Sequence, residues 1–105
     1  MPIVSVVYPR REGATFDFDY YTSRHLPLVE ERWRGDAGLL DAHGLRGVAT
    51  ADGSATPYMA MAFLRFASTE ALQAAMGGAH AAEIIGDIQN FTNVQPEVQI
   101  NEELS

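Results

Sequence analysis

Hydrophobic and polar positions along this 105-residue chain change period several times, and each change marks an element. Residues 3–8, "IVSVVY", are β-branched and aromatic and stop at Pro9, which predicts a first strand. From Phe16 the apolar positions recur at helical spacing through residues 16–34, with Thr15 placed as N-cap and Asp17 and Asp19 early in the helix. "GDAGLLDAHGLRG" is broken by glycines and reads as a frayed helical extension and a turn, with a second strand predicted over residues 45–51. "YMAMAFLRF" is the clearest strand. Ser68 caps a second helix, "STEALQAAM", which "GGAH" interrupts and "AAEIIGDIQNF" completes. "PEVQIN" closes the chain as an edge strand, with Pro96 at its start, where a missing N–H does least harm.

The order β-α-β-β-α-β predicts an α+β, ferredoxin-like domain with a four-stranded antiparallel sheet, one domain over residues 1–105. Two helices cover one face of such a sheet. In the 58–66 strand, Tyr58, Ala60, Ala62, Leu64 and Phe66 fall on one face and Met59, Met61, Phe63 and Arg65 on the other. Both faces are largely apolar, so the second needs a cover, and the simplest is another copy of the sheet in a two-fold homodimer.

Charge and composition narrow the partners. Fourteen acids against seven bases give a net charge of −7, with no local basic cluster, which disfavours nucleic acid and anionic membrane surfaces. No apolar run is long enough to span a bilayer, and the N-terminus reads as a strand and not as a leader. With no cysteine there is no disulfide, thiolate nucleophile or Cys-based metal site, which fits the cytoplasm. His25, His43 and His80 are too dispersed for a metal triad, and no phosphate-binding glycine motif is present. The expectation is a protein without metal or cofactor.

The most specific stretch is "FDFDYYTSRHLPLVEERW", residues 16–33. On a helical wheel Phe18, Tyr21, His25, Leu26, Leu28, Val29 and Trp33 share one arc, with His25 near its middle. This places an imidazole on the buried face. Pro27 cannot donate to the Ser23 carbonyl and crowds it, so a kink near Leu26 is expected to open a space between helix and sheet. His25 and Tyr21 are the candidate catalytic pair of that pocket: a group titrating near neutrality and a hydroxyl one turn away. Phe18, Leu28, Val29 and Trp33, with Phe63 from the third strand, are the candidate ligand-binding residues. The plainer alternative is that His25 bonds to backbone and fills the core. His80 reads as a surface or cap histidine, Asp87 and Asn90 as turn-fixing residues, and Met59 and Met61 as packing.

The same stretch resembles the signature of the EthD family, an aromatic followed by a Tyr-Tyr-like pair and then His-x-Pro-Leu, carried here by Phe18, Tyr20, Tyr21, His25, Pro27 and Leu28. "GDIQNFTNVQPEVQI" is similar to that family's closing segment. The resemblance implies membership of the dimeric α+β barrel superfamily, with two sheets closing a barrel across the dimer. EthD takes its name from an ether-degradation gene cluster that includes an oxygenase, and its barrel relatives include isomerases, polyketide cyclases, cofactor-free monooxygenases and haem-using enzymes. A fold this versatile does not choose a reaction. Two functional classes stay open. One is a cofactor-free isomerase, cyclase or degradative enzyme using His25 as general acid/base on a small aromatic, lactone or polyketide-like metabolite. The other is a non-catalytic dimer that binds a hydrophobic ligand or assists an oxygenase.

Overall fold

The computed structural model describes residues 1–104. Its elements are β1 (Pro2–Pro9), α1 (Phe18–Tyr20), a π-helical turn (Tyr21–His25), α2 (Leu26–Trp33), β2 (Leu39–Arg46), β3 (Tyr58–Phe66), α3 (Thr69–Met76), α4 (Ala81–Asp87) and β4 (Glu97–Glu102). The strands form one antiparallel sheet in the order β2-β3-β1-β4. This is the ferredoxin-like arrangement that the alternation of periods predicts.

The register decides which side chains share a face. Val4 lies opposite Leu64 and Ile100, Val6 opposite Ala62 and Val98, and Tyr8 opposite Ala60. These rows face the helices. Val4, Leu64 and Phe66 form one buried cluster with Val29, Trp33, Leu72 and Ile84. Tyr8, Ala60 and Ala62 form a second with Tyr21 and Phe91. The opposite face carries Leu45, Met61 and Val7 in one row and His43, Phe63, Ser5 and Gln99 in the next, with Ile3, Asn101 and the Arg65–Asp41 ion pair in a third toward one end. That face is thus apolar around Val7, Met61 and Phe63 but carries polar residues at all the other positions of the Phe63 row, less uniformly apolar than β3 alone suggests. Met59 is buried with the Tyr8 cluster instead of lying on the bare face, next to the place where the β1–β3 register shifts between Tyr8 and Pro9.

Three local expectations need correction. The second strand is Leu39–Arg46, not residues 45–51. Gly38, at φ +83, ends a 3₁₀ turn (Gly35–Ala37), and the strand starts at once, with a bulge between Leu39 and Asp41. Its helix-facing positions Ala42 and Gly44 are too small to look like strand residues. A Cβ on Gly44 would stand 2.7 Å from Leu26 Cδ1 and 3.1 Å from Tyr21 Cε2, so the close approach of the helix requires the glycine. The N-cap of the first helix is Asp17, whose carboxylate accepts from the Tyr20 N–H at 3.0 Å; the Thr15 N–H instead donates to Asn93 Oδ1. Ser68 caps α3 as expected, accepting from Ala71 N–H.

The third correction concerns Pro27. No sharp kink is needed, because the helix widens ahead of the proline: the Leu26 N–H reaches back to the Tyr21 carbonyl, five residues away. Pro27 then sits in the first turn of α2, where its missing N–H costs little. A π-helical turn absorbs one extra residue, and such turns recur at functional sites.

Candidate functional site

The π-helical turn sets Tyr21 and His25 on the same side of the helix, both buried, with their rings stacked 5.6 Å apart at 17°. They meet Phe91, which follows the 3₁₀ turn Ile88–Asn90 that ends α4. Phe91 lies 4.6 Å from His25 and 5.1 Å from Tyr21, and the rings of Tyr8 and Phe16 pack around it edge-on. Backbone and side chain stitch this turn to the start of α1: the Asp17 N–H donates to the Phe91 carbonyl at 2.7 Å, and Thr92 Oγ1 donates to the Thr15 carbonyl at 2.7 Å. The end of α4 is thereby fixed against the π turn.

That junction supplies a partner for the imidazole. His25 Nδ1 lies 2.9 Å from Asp87 Oδ2. Asp87 Oδ1 accepts from the Tyr20 hydroxyl at 2.6 Å and from the Asn90 side-chain amide at 3.0 Å. Burial pushes the Asp87 carboxyl up, but the bonds from Tyr20, Asn90 and His25 outweigh it and hold the group below its ordinary value. Asp87 is therefore an ionised acceptor. A neutral His25 must then carry its proton on Nδ1, which leaves the Nε2 lone pair free. Burial lowers the His25 pKa below 6.5, and the hydrogen bond and charge of Asp87 only partly offset this. Nε2 makes no hydrogen bond to any described residue. The plainer expectation, a histidine bonded to backbone, is not what the fold builds.

Beside this dyad is a cavity of about 630 Å³ between the helix-facing side of the sheet and the helices. Tyr21, His25, Val29 and Trp33 line it from the π turn and α2. Val6, Tyr8, Ala62 and Leu64 line it from the sheet, and Ile84, Ile85 and Ile88 from α4 and its end. Val94, Pro96 and Val98 line it from β4 and the segment before it, with the amides of Gln89, Asn93 and Gln95 among the lining groups. Volume and lining suit a small apolar ligand oriented by a few polar groups. Two such groups are prominent. The Tyr21 hydroxyl is buried with no hydrogen-bond partner among the described residues, and burial raises its pKa to about 12, so it stays protonated as a donor. The second is His25.

The other residues singled out in the sequence are placed differently. Phe18 lies outside the cavity, its ring tilted against Phe16 and under the guanidinium of Arg46 at 4.3 Å. Leu28 packs against the larger core cluster, and Phe63 is on the bare face of the sheet. His43 is exposed beside Asp41, and His80 is exposed at the start of α4. Among the described residues no group of three or more His, Asp or Glu is arranged to hold a metal ion, and no helix is long and apolar enough to cross a membrane. Sequence reasoning missed Asp87 as the partner of His25. Its only signal was its place in the closing "GDIQNF" segment, 62 residues further along the chain.

No protein-family model matches the chain, and no curated protein is similar to it. Solved structures are. An EthD-like protein from Ralstonia eutropha JMP134 is 38% identical with a TM-score of 0.88, over 99% of this chain and 92% of that one. An ethyl tert-butyl ether degradation (EthD) family protein from Bacillus halodurans C-125 is 26% identical with a TM-score of 0.77, over 99% of both chains. A putative antibiotic biosynthesis monooxygenase from Deinococcus radiodurans shares the fold, at 9% identity and a TM-score of 0.64. Near-complete overlap at that first level of identity, together with the Tyr-Tyr and His-x-Pro-Leu pattern, of which Tyr21 and His25 line the cavity, makes this chain a member of the EthD family.

Proposed function

We propose that the cavity binds a small hydrophobic metabolite and that His25 moves a proton on it, as in a cofactor-free isomerisation, cyclisation or degradative step. The observation that carries this reading is the His25–Asp87 dyad at the wall of an apolar cavity. Nε2 removes a proton from a carbon next to a carbonyl, giving an imidazolium and an enolate. The Asp87 carboxylate stabilises the imidazolium through Nδ1–H, and the Tyr21 hydroxyl donates to the enolate oxygen. Return of the proton to a different carbon is an isomerisation; attack of the enolate carbon on a second carbonyl is a cyclisation. The pair works as a homodimer whose bare sheet faces, centred on Val7, Met61 and Phe63, cover each other.

The test is proton exchange. With 1-adamantyl methyl ketone in deuterated buffer, the protein accelerates deuterium incorporation into the acetyl methyl group, read by proton NMR. His25→Ala loses about 10²- to 10⁴-fold of that acceleration. Exchange by the wild-type protein at the buffer rate leaves a ligand-binding or oxygenase-assisting protein as the surviving reading.

A further inference from the structure

The charge of the cavity lining restricts its ligand more than its size does. None of the lining residues is Arg, Asp or Glu, and the chain contains no lysine. The arginines are engaged elsewhere or outside the cavity. Arg32 bonds Glu83 and Glu31, Arg34 pairs with Glu30, Arg65 with Asp41, Arg10 holds Thr56, and Arg46 covers Phe18. Arg11 and Arg24 are exposed and do not line it. The one lining group that can become a cation is His25, and its Nδ1 is already committed to a carboxylate. An anionic ligand would therefore meet alkyl and aromatic carbon and a few neutral amides but no cation, with Asp87 behind the ring it approaches.

We propose that this cavity selects uncharged ligands bearing a carbonyl or hydroxyl oxygen and rejects carboxylates and phosphates on the same skeleton. The inference rests on the cavity being the binding site. The unpartnered, buried Tyr21 hydroxyl is the donor that a neutral oxygen satisfies. A carboxylate takes one bond from it and finds only neutral amides, and no cation, to offset the charge that it brings out of water. The exposed apolar residues Ile85 and Val98, which also line the cavity, put the greasy end of the ligand toward the mouth and its oxygen toward the π turn. A reaction that feeds this site hence delivers a neutral product, such as a ketone, lactone or phenol, and not a free acid.

The isosteric pair 1-adamantyl methyl ketone and adamantane-1-carboxylate tests the charge rule without ultraviolet interference. Trp33, the one tryptophan, lines the cavity, so its emission reports binding. The ketone binds, and the carboxylate at pH 8 binds at least ~100-fold more weakly. Tyr21→Phe weakens the ketone about tenfold, which separates cavity binding from surface adsorption. Ile85→Arg, at an exposed lining position that tolerates the change, shifts the ketone-to-carboxylate ratio at least tenfold toward the acid. Carboxylate binding as tight as ketone binding overturns charge selection and leaves the proton-transfer reading standing. Ketone binding without deuterium exchange overturns the proton-transfer reading and leaves charge selection standing. No response of Trp33 to the ketone overturns both.

Discussion

His25 and Asp87, 62 positions apart in sequence, meet at 2.9 Å where the π-helical turn touches the end of α4. Asp87 is held in turn by Tyr20 and Asn90. The contact fixes which ring nitrogen is protonated. Asp87→Asn keeps the size of the side chain but removes the charge that stabilises an imidazolium. The exchange activity defined above falls about 10²-fold or more, with little change in ketone affinity. Trp33-detected binding alongside exchange rates separates the two effects, and an equal loss in both points to mere disruption of the fold.

Protonation of the dyad sets two windows of acid sensitivity. The folded-state pKa of His25 is lowered below 6.5, so the unfolded chain takes up the proton first. Stability from neutral His25 is complete above about pH 6.5 and declines as pH falls through the folded value. Asp87 is also lowered, below 3.8, so its contribution persists until more acid conditions and is lost as pH falls below that. Thermal unfolding from pH 8 to pH 3 shows both declines, and His25→Gln removes the first. Activity that needs the Nε2 lone pair declines over the same first window. A flat melting temperature from pH 7 to pH 4.5 contradicts the assignment.

Tyr21→Phe separates function from stability in the opposite sense. The hydroxyl is buried without a partner, so its removal leaves the free protein unchanged or more stable by up to ~1 kcal/mol. Exchange activity nevertheless drops about tenfold or more, because the enolate oxygen loses its donor. Chemical denaturation and the exchange assay on one preparation check both. A clear loss of stability would mean that the hydroxyl has a partner in solution other than a ligand.

Gly44→Ala tests the close approach of β2 to the helix. The added methyl meets Leu26 and Tyr21, and the Tyr21 ring is held between Tyr8, Phe16 and Phe91. Overpacking of this kind costs about 1–3 kcal/mol. Urea denaturation reads the cost, and ketone binding weakens with it as the ring is displaced.

Phe63→Glu tests the bare face. A charge introduced at the centre of the Val7–Met61–Phe63 patch is buried if two sheets pack together and harmless if they do not. Light scattering gives twice the 11.5 kDa chain mass for the wild type and the single mass for the variant. A wild-type monomer at micromolar concentration removes the dimer from the functional reading.

Much of the frame was legible in local pattern. β1 and β3 announce themselves because their side chains are β-branched, aromatic or buried, and the arc of Tyr21, His25, Val29 and Trp33 identifies the inward side of the helix at helical spacing. The same pattern hid β2. Its inward positions, Ala42 and Gly44, are small because the helix presses on them, and that pressure is a property of the packed fold. The sequence also showed that Pro27 disturbs the helix, but not that a π turn would absorb the disturbance, since i→i−4 and i→i−5 bonding differ by a balance of neighbouring contacts.

By itself, then, the sequence determined the ferredoxin-like order, the buried histidine and the Tyr21–His25 pairing on one helical face, all of which follow from short-range periodicity and backbone preference. The tertiary structure alone decided that Asp87, and not backbone, accepts the hydrogen bond of the histidine, that Phe63 and Phe18 lie away from the cavity, and that the imidazole is the one titratable nitrogen lining it. These are long-range facts. They depend on how α4 docks beside the π turn and on which face of β3 the register turns inward, and neither is encoded in any stretch short enough to read as a pattern.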